Sequence, residues 1–397
     1  MPNRINLRRT FVNIHLWLGI TLGVVGALLG ITGSVLVFDD AIDARFNPQR
    51  YAVSGPQLAL PYTDYVQRAA QALEGRARPM GMQLPDADGG PVVVNARPIA
   101  QGVQGFYRVY IDPPTGRVLD IAQAGGVLGW IHQFHGSLML RDYGGRAMVG
   151  IVGIAMLISA LSGIYLWWPS RTQWPRVLGF RPGIGLLRNL HYFFGFYGSL
   201  VLALLSFTGI YIAFPDAGRA IVGAFGPVSA PLPRPAPQPQ ARGEQKPAAP
   251  QQPRTEEHLS KNITPDQAAA TARSARPDST VVGIGLPTGP KSNYRITMRE
   301  PGDPLRNEGG STVILIDPRS GEIQRHIDPS TRTAGDDFLA WLRPLHTGEA
   351  FGIGTRIVVF IVGLLPPLLV TTGTLMWLRR RRAKPGVNVA AANGIRA

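Results

Sequence analysis

The chain contains no cysteine. That absence excludes disulfides, thiolate metal sites, iron–sulfur clusters and haem attached through a Cys-x-x-Cys-His motif. Acidic residues are few: 25 Asp and Glu stand against 40 Lys and Arg, a formal net charge of +15. In a soluble protein this balance would suggest nucleic acid, but no nucleic-acid motif and no interleaved basic–aromatic surface is present. The basic residues collect beside long apolar runs, where membrane topology accounts for them. Those runs hold no aspartate or glutamate, so a proton relay has nothing to continue it.

There are four such runs, 13–38, 147–168, 189–214 and 357–378. At about 1.5 Å of rise per residue each is long enough to cross a bilayer. The expected fold is therefore an α-helical membrane protein with four transmembrane helices.

The first and third runs are copies. One begins Asn13-Ile14-His15-Leu16-Trp17-Leu18-Gly19, the other Asn189-Leu190-His191-Tyr192-Phe193-Phe194-Gly195. Each reaches a Thr-Gly pair, Thr32-Gly33 or Thr208-Gly209, at the same distance from its histidine. A histidine heading such a run is a functional candidate, because hydrocarbon offers its ring nitrogens no partners. At about 100° per residue, Gly19, Gly23, Gly26, Gly30 and Gly33 share the His15 side of their helix. Gly195, Gly198, Ser206 and Gly209 follow His191 in the same way. Small residues there allow close helix packing or seat a flat macrocycle. Gly30, Gly33, Ser206 and Gly209 are the candidates for the second role.

The second and fourth runs also align. Trp130 to His135 and Trp341 to His346 share one spacing, and Ser162-Gly163 and Thr372-Gly373 precede Trp167 and Trp377 alike. One residue of slip between His135 and Gly163 completes the match. The chain reads as two parallel repeats of helix, inserted small α+β domain, helix. The expected division is 1–43, N-terminus and first helix; 44–126, first outer domain; 127–170, outer histidine segment and second helix. A loop at 171–188, the third helix at 189–225 and a linker at 226–254 with nine prolines come next. A second outer domain at 255–335, the outer histidine segment and fourth helix at 336–382, and a tail at 383–397 complete it.

Within the outer domains, 62–73 and 264–274 read as helices, the latter with Thr264 as N-cap. The segments 91–95, 105–111 and 117–121 read as strands. The turn Asp112-Pro113-Pro114-Thr115-Gly116 sets a hairpin, echoed by Asp317-Pro318-Arg319-Ser320-Gly321. Arg4, Arg8 and Arg9 precede the first run, and Asp39, Asp40 and Asp43 follow it. Arg171, Arg176, Arg181 and Arg188 lie between the second and third, and Arg379, Arg380, Arg381 and Arg382 close the fourth. The positive-inside rule then puts both termini in the cytoplasm and both large loops outside.

A pseudo-two-fold axis along the membrane normal brings His15 to His191 and His135 to His346, with the bilayer separating the pairs. Two ligands approaching from opposite sides suit a haem iron, whereas zinc wants three or four. Without cysteine, any haem is non-covalent and histidine-ligated. His258 and His326 lie in the loops without repeat partners and are expected to be solvated. His132 falls opposite Arg343 and outside the repeated set; it reads as a hydrogen-bond donor, a propionate contact or an alternative ligand. Arg141, Arg146, Arg343 and Arg356 are propionate partners or interfacial anchors.

The Asp112 and Asp317 hairpins resemble PepSY domains. Set between helices bearing His15 and His191 and Trp-x4-His segments, they resemble the PepSY-associated transmembrane-helix proteins, most of all the FoxB-type inner-membrane ferrisiderophore reductases of Gram-negative bacteria. The resemblance covers nearly the whole chain. It implies two non-covalent b-type haems, with His15, His191, His135 and His346 as axial ligands of the iron. It implies electron transfer to ferric siderophores or other iron chelates in the periplasm, by a multi-pass protein in contact with membrane lipid. Some relatives carry a fused flavin reductase domain; none follows Arg382, so the donor, flavoprotein or quinol, stays open. Two other readings stand beside it. One is a haem-free membrane anchor whose outer domains bind or inhibit a periplasmic partner. The other is a di-haem reductase of flavin, quinone or cupric ion.

Overall fold

A computed structural model describes residues 6–85, 89–100, 105–123, 125–168, 178–229, 262–289, 292–301, 311–328 and 331–382. Nearly all of the proline-rich linker, the tail 383–397, His258, Arg4, Arg171 and Arg176 lie outside the described residues. In chain order the helices and strands are α1 (Leu7–Thr21), α2 (Gly23–Leu36), α3 (Asp39–Phe46), α4 (Tyr62–Ala72), β1 (Ala77–Gln83), β2 (Val92–Pro98), β3 (Tyr107–Ile111), β4 (Val118–Gln123) and α5 (Gly126–Ser137). There follow α6 (Gly145–Trp167), α7 (Leu186–Ala213), α8 (Pro215–Gly223), α9 (Pro265–Ala275), β5 (Thr280–Gly285), β6 (Tyr294–Arg299), β7 (Thr312–Ile316), β8 (Ile323–Ile327), α10 (Ala334–Thr347), α11 (Ile353–Gly363) and α12 (Leu365–Arg382). They divide into a helical unit, Met1–Phe38, Trp130–Gly218 and Leu345–Ala397, and a sheet unit, Asp39–Gly129 and Arg219–Pro344.

In the helical unit α6 and α7 are unbroken apolar helices of 23 and 28 residues, close to the expected ranges. The first run is not one continuous span. It bends by 62° between α1 and α2, although Leu22 N–H still reaches the Leu18 carbonyl at 3.0 Å. The bend falls among Gly19, Gly23 and Gly26, where the helix has lost side-chain support. The fourth run begins earlier than expected, at Ile353, and its ladder breaks at Leu364, ahead of Pro366 and Pro367, which have no N–H to give. Among the described residues, three helices are long and apolar enough to cross a membrane, or four if the bent pair is one span.

The glycine stripe serves mostly for packing. A Cβ on Gly23 would lie 2.9 Å from Val370 Cγ2, one on Gly26 would run into Met156, and one on Gly30 into the Gly363 carbonyl. Ala160, Leu202, Ala203, Val362 and Leu365 form the buried seam, while Leu28, Ile154, Leu161, Leu200 and Ile361 face outward. An apolar exterior of this kind is expected of a surface covered by lipid. Arg356 Nε donates to the Val37 carbonyl at 3.0 Å, and the Arg146 guanidinium donates to the Ile212 carbonyl. Both arginines thus satisfy open carbonyls at helix C-termini, where a cation is favoured.

The sheet unit holds one antiparallel sheet of eight strands, in the order β4-β3-β2-β1-β5-β6-β7-β8. The two inserted domains read from the sequence are its two halves. They join where β1 pairs with β5 through Gly81↔Gly285, Met82↔Ile284 and Gln83↔Gly283. A side chain on Gly81 would sit 2.7 Å from the Ile284 carbonyl. The helix α4 matches its expected range, and α9 opens with the Thr264–Gln267 capping box. Asp266 in its first turn accepts from the Tyr62 and Thr63 backbone N–H groups at 2.7 and 3.0 Å. One half's helix thereby caps the other's. Tyr65, Ala69, Leu73, Val92, Val94 and Val109 from one half, and Ala268, Ala269, Ala272, Ile296 and Ile314 from the other, form one core.

Candidate functional site: two facing histidine pairs

Four helical segments carry the histidines and four carry a hydroxyl–glycine dipeptide; each histidine meets one dipeptide. His15 on α1 lies against Gly163 of α6: a Cβ there would be 3.2 Å from the ring Cε1. Its Nδ1 is 3.0 Å from the Ser159 carbonyl and 3.1 Å from Ser162 Oγ. His191 on α7 meets Gly373 of α12 in the same way, with Nδ1 3.0 Å from Thr372 Oγ1, whose own proton goes to the Leu368 carbonyl. His135 on α5 rests on Gly33 of α2, where a Cβ would be 2.8 Å from its Cε1, and its Nδ1 reaches Leu29 O at 3.0 Å and Thr32 Oγ1 at 3.1 Å. His346 on α10 rests on Gly209 of α7, with Nδ1 3.1 Å from Leu205 O and 2.9 Å from Thr208 Oγ1.

A carbonyl oxygen can only accept, so Nδ1 carries the proton in each neutral ring and Nε2 keeps its lone pair. That is the tautomer of an imidazole ready to bind a metal. The structure brings the four together as two pairs. His15 and His191 have ring centres 6.2 Å apart with planes at 87°. His135 and His346 have centres 6.3 Å apart with planes at 53°. Two imidazoles bonded on opposite sides of one metal at about 2 Å each have ring centres about 6.3 Å apart, a spacing that both pairs match. Among the described residues no group of three or more His, Cys, Asp or Glu gathers for a metal. Two neutral nitrogens per site are too few for zinc alone and are the complement a haem iron needs.

The model of the PepSY-associated TM region matches residues 12–380. The chain belongs to that family. No curated protein matches it. The histidine pairs are therefore features of a PepSY-associated transmembrane protein, and the match runs through all four.

In this PepSY-associated protein the His15–His191 pair opens on a cavity of about 940 Å³ lined by Leu16, Ala155, Leu202 and Leu369 among others. Arg8, Arg188, Arg379 and Arg380 also line it. An apolar volume of this size rimmed by cations suits a large flat ligand bearing carboxylates. Trp167 and Trp377 line the same cavity. The Trp167 ring stacks on Phe196 with centres 3.6 Å apart, and the Arg181 guanidinium lies over both Trp167 and Tyr192.

The geometry bears on several of the expectations. Gly33 and Gly209 seat histidine rings rather than a macrocycle, and Gly30 packs helix on helix. Arg146 and Arg356 serve helix ends; Arg141 and Arg343 are exposed. His132 is exposed, and His326, also exposed, accepts from Arg276 Nε at 3.3 Å. The sequence reading missed the cavity's arginines, which it used only for topology, and the hydroxyls, which it used only to align the repeat. The signal for the hydroxyls was there: each of the four histidines has one Ser/Thr-Gly dipeptide.

Proposed function

We propose that this is a di-haem b-type electron-transfer protein of the bacterial inner membrane that reduces ferric siderophores or other ferric chelates in the periplasm. His15 with His191, and His135 with His346, would each hold one non-covalent haem. The single observation that carries the reading is the two imidazole couples, with ring centres 6.2 and 6.3 Å apart. A haem held there would supply a one-electron couple. The protein's own residues fix the ligand tautomers, exclude water through the apolar helix seam, and place four arginines around the first pair. Ferric ion in an oxygen-donor chelate is the substrate; Fe(II) binds such hard ligands less tightly, so a single electron releases it.

The repeat in the sequence supports the pairing. Each histidine is seated by a helix of its own half and faces the histidine of the other half, as a two-fold along the membrane normal would require. The arginines near His15 and His191 favour that end as cytoplasmic. The test is the purified full-length protein after haem-sufficient expression. Two haems per chain with dithionite-sensitive bands, and reoxidation by added ferric chelate, are expected. Colourless protein would sink the reading and leave the haem-free anchor in its place.

A further inference from the structure

The four hydroxyls have a bland explanation: serine and threonine in apolar helices commonly donate back to a carbonyl three or four residues earlier. They do so here. Thr32 donates to Leu28 O at 2.9 Å, Thr208 to Leu204 O at 2.9 Å, Thr372 to Leu368 O at 2.7 Å and Ser162 to Ser159 O at 3.1 Å. That donation leaves each oxygen's lone pairs as acceptors, and in all four cases a histidine Nδ1 stands within 2.9 to 3.1 Å. Thr208, Ser162 and Thr372 are almost fully buried, where an acceptor is valuable to a ring N–H. The glycine that follows lets the ring lie against the helix backbone. Four helices repeat one device.

We infer that Thr32, Ser162, Thr208 and Thr372 are positioning residues: beside the carbonyls that keep the proton on Nδ1, as at Leu29 and Leu205, each gives the ring N–H a second acceptor that sets the ring plane, one pair standing perpendicular and the other oblique. The inference rests on the haem reading above. Its consequence is that the two haems are electronically distinct although their ligands are identical. Perpendicular imidazole planes keep the two iron π-type d orbitals nearly equal in energy, whereas less crossed planes split them. The ferric form should therefore show two low-spin signals: a highly anisotropic one from the 87° pair and a more rhombic one from the 53° pair. The Nδ1–H bond to an acceptor also makes Nε2 more basic and favours Fe(III).

The experiment compares full-length wild type with Thr208→Val, which keeps the shape and removes the hydroxyl acceptor while the Leu205 carbonyl stays 3.1 Å from Nδ1, and Thr208→Ser, which restores the hydroxyl. Haem content, electron paramagnetic resonance and a potentiometric titration are read on each. Thr208→Val should change the rhombic signal and raise one midpoint potential, leave the other haem as it was, and be reversed in Thr208→Ser. Thr372→Val should act on the anisotropic signal alone. Loss of one haem from Thr208→Val with retention in Thr208→Ser would also support the role. Both haems present with signals and potentials unmoved in Thr208→Val would overturn it, as would equal loss in the valine and serine variants. Absence of haem from wild type would instead remove the reading on which it rests.

Discussion

A hydrogen in place of a methyl decides where His135 sits. Gly33→Ala would put a Cβ 2.8 Å from the ring Cε1, and the only relief is to move the ring or part the helices, at about 1–3 kcal/mol. The haem-to-protein ratio of Gly33→Ala should fall from two toward one, with the His15–His191 bands retained. Gly373→Ala, with 3.2 Å to His191 Cε1, should act on the other haem and more mildly. Away from the histidines, Asp112 is nearly fully buried in its hairpin, accepting from Ser54 N–H at 2.7 Å, Ser54 Oγ at 2.6 Å and Thr115 Oγ1 at 2.5 Å. Burial pushes its carboxyl up, but the bonds from Ser54 and Thr115 and the Arg117 charge outweigh that and hold it below the ordinary carboxylate value. A depressed folded value means that its stabilisation is complete above the unfolded value and is lost as pH falls through the folded one. Asp112→Asn should cost about 1–3 kcal/mol at neutral pH. Thermal unfolding of the two proteins should converge as the pH is lowered below the usual carboxylate range.

At the scale of elements, the weakest point of the sheet is its seam. Gly81→Val would drive a branched side chain into the Ile284 carbonyl, 2.7 Å from the Cβ position, and break the three-residue β1–β5 pairing. The cost is on the order of 2–4 kcal/mol, a clash together with a broken ladder. Hydrogen exchange should show loss of protection at β1 and β5, while the outer ladders and the haem content are kept. This seam was also the least legible part of the sequence. The strands β2, β3 and β7 are rich in β-branched or aromatic residues, free of glycine, and announce themselves, but β1 reads Ala-Arg-Pro-Met-Gly-Met-Gln and β5, though β-branched, is broken by two glycines, Thr-Val-Val-Gly-Ile-Gly. Their glycines serve the close approach of two backbones, which weakens the alternation that marks a strand. The capped helix α9 was legible because its signal is local: Thr264, Pro265 and Gln267 adjoin. The bend between α1 and α2 was not, because glycines in an apolar helix serve close packing as readily as a bend. The histidine pairs were legible through repetition. Their cradles were not, since a Thr-Gly dipeptide carries no sign of which ring it will meet.

For the whole molecule, the proposed electron path has a direction that can be tested. His15 and His191 neighbour Arg8, Arg188, Arg379 and Arg380 around one cavity. His135 and His346 come just after the chain leaves the sheet unit, at Trp130 and at Leu345. If the arginine-rich end is cytoplasmic, the first pair is the entry and the second the exit toward an external acceptor. If two histidines hold each iron as proposed, the chelate would be reduced at the edge of the site without binding that iron. His346→Ala should then remove the second haem and keep the first, and His15→Ala the reverse; loss of ligands paired within one half would contradict the crossed arrangement. The decisive measurement pre-reduces the protein without oxygen, mixes it with ferric chelate and follows haem reoxidation by stopped flow. Wild type should reoxidise at both haems, whereas His346→Ala should hold its remaining haem reduced far longer. Equal rates in the two would mean that electrons leave without the second pair, and the proposed direction would fail while the two binding sites stood.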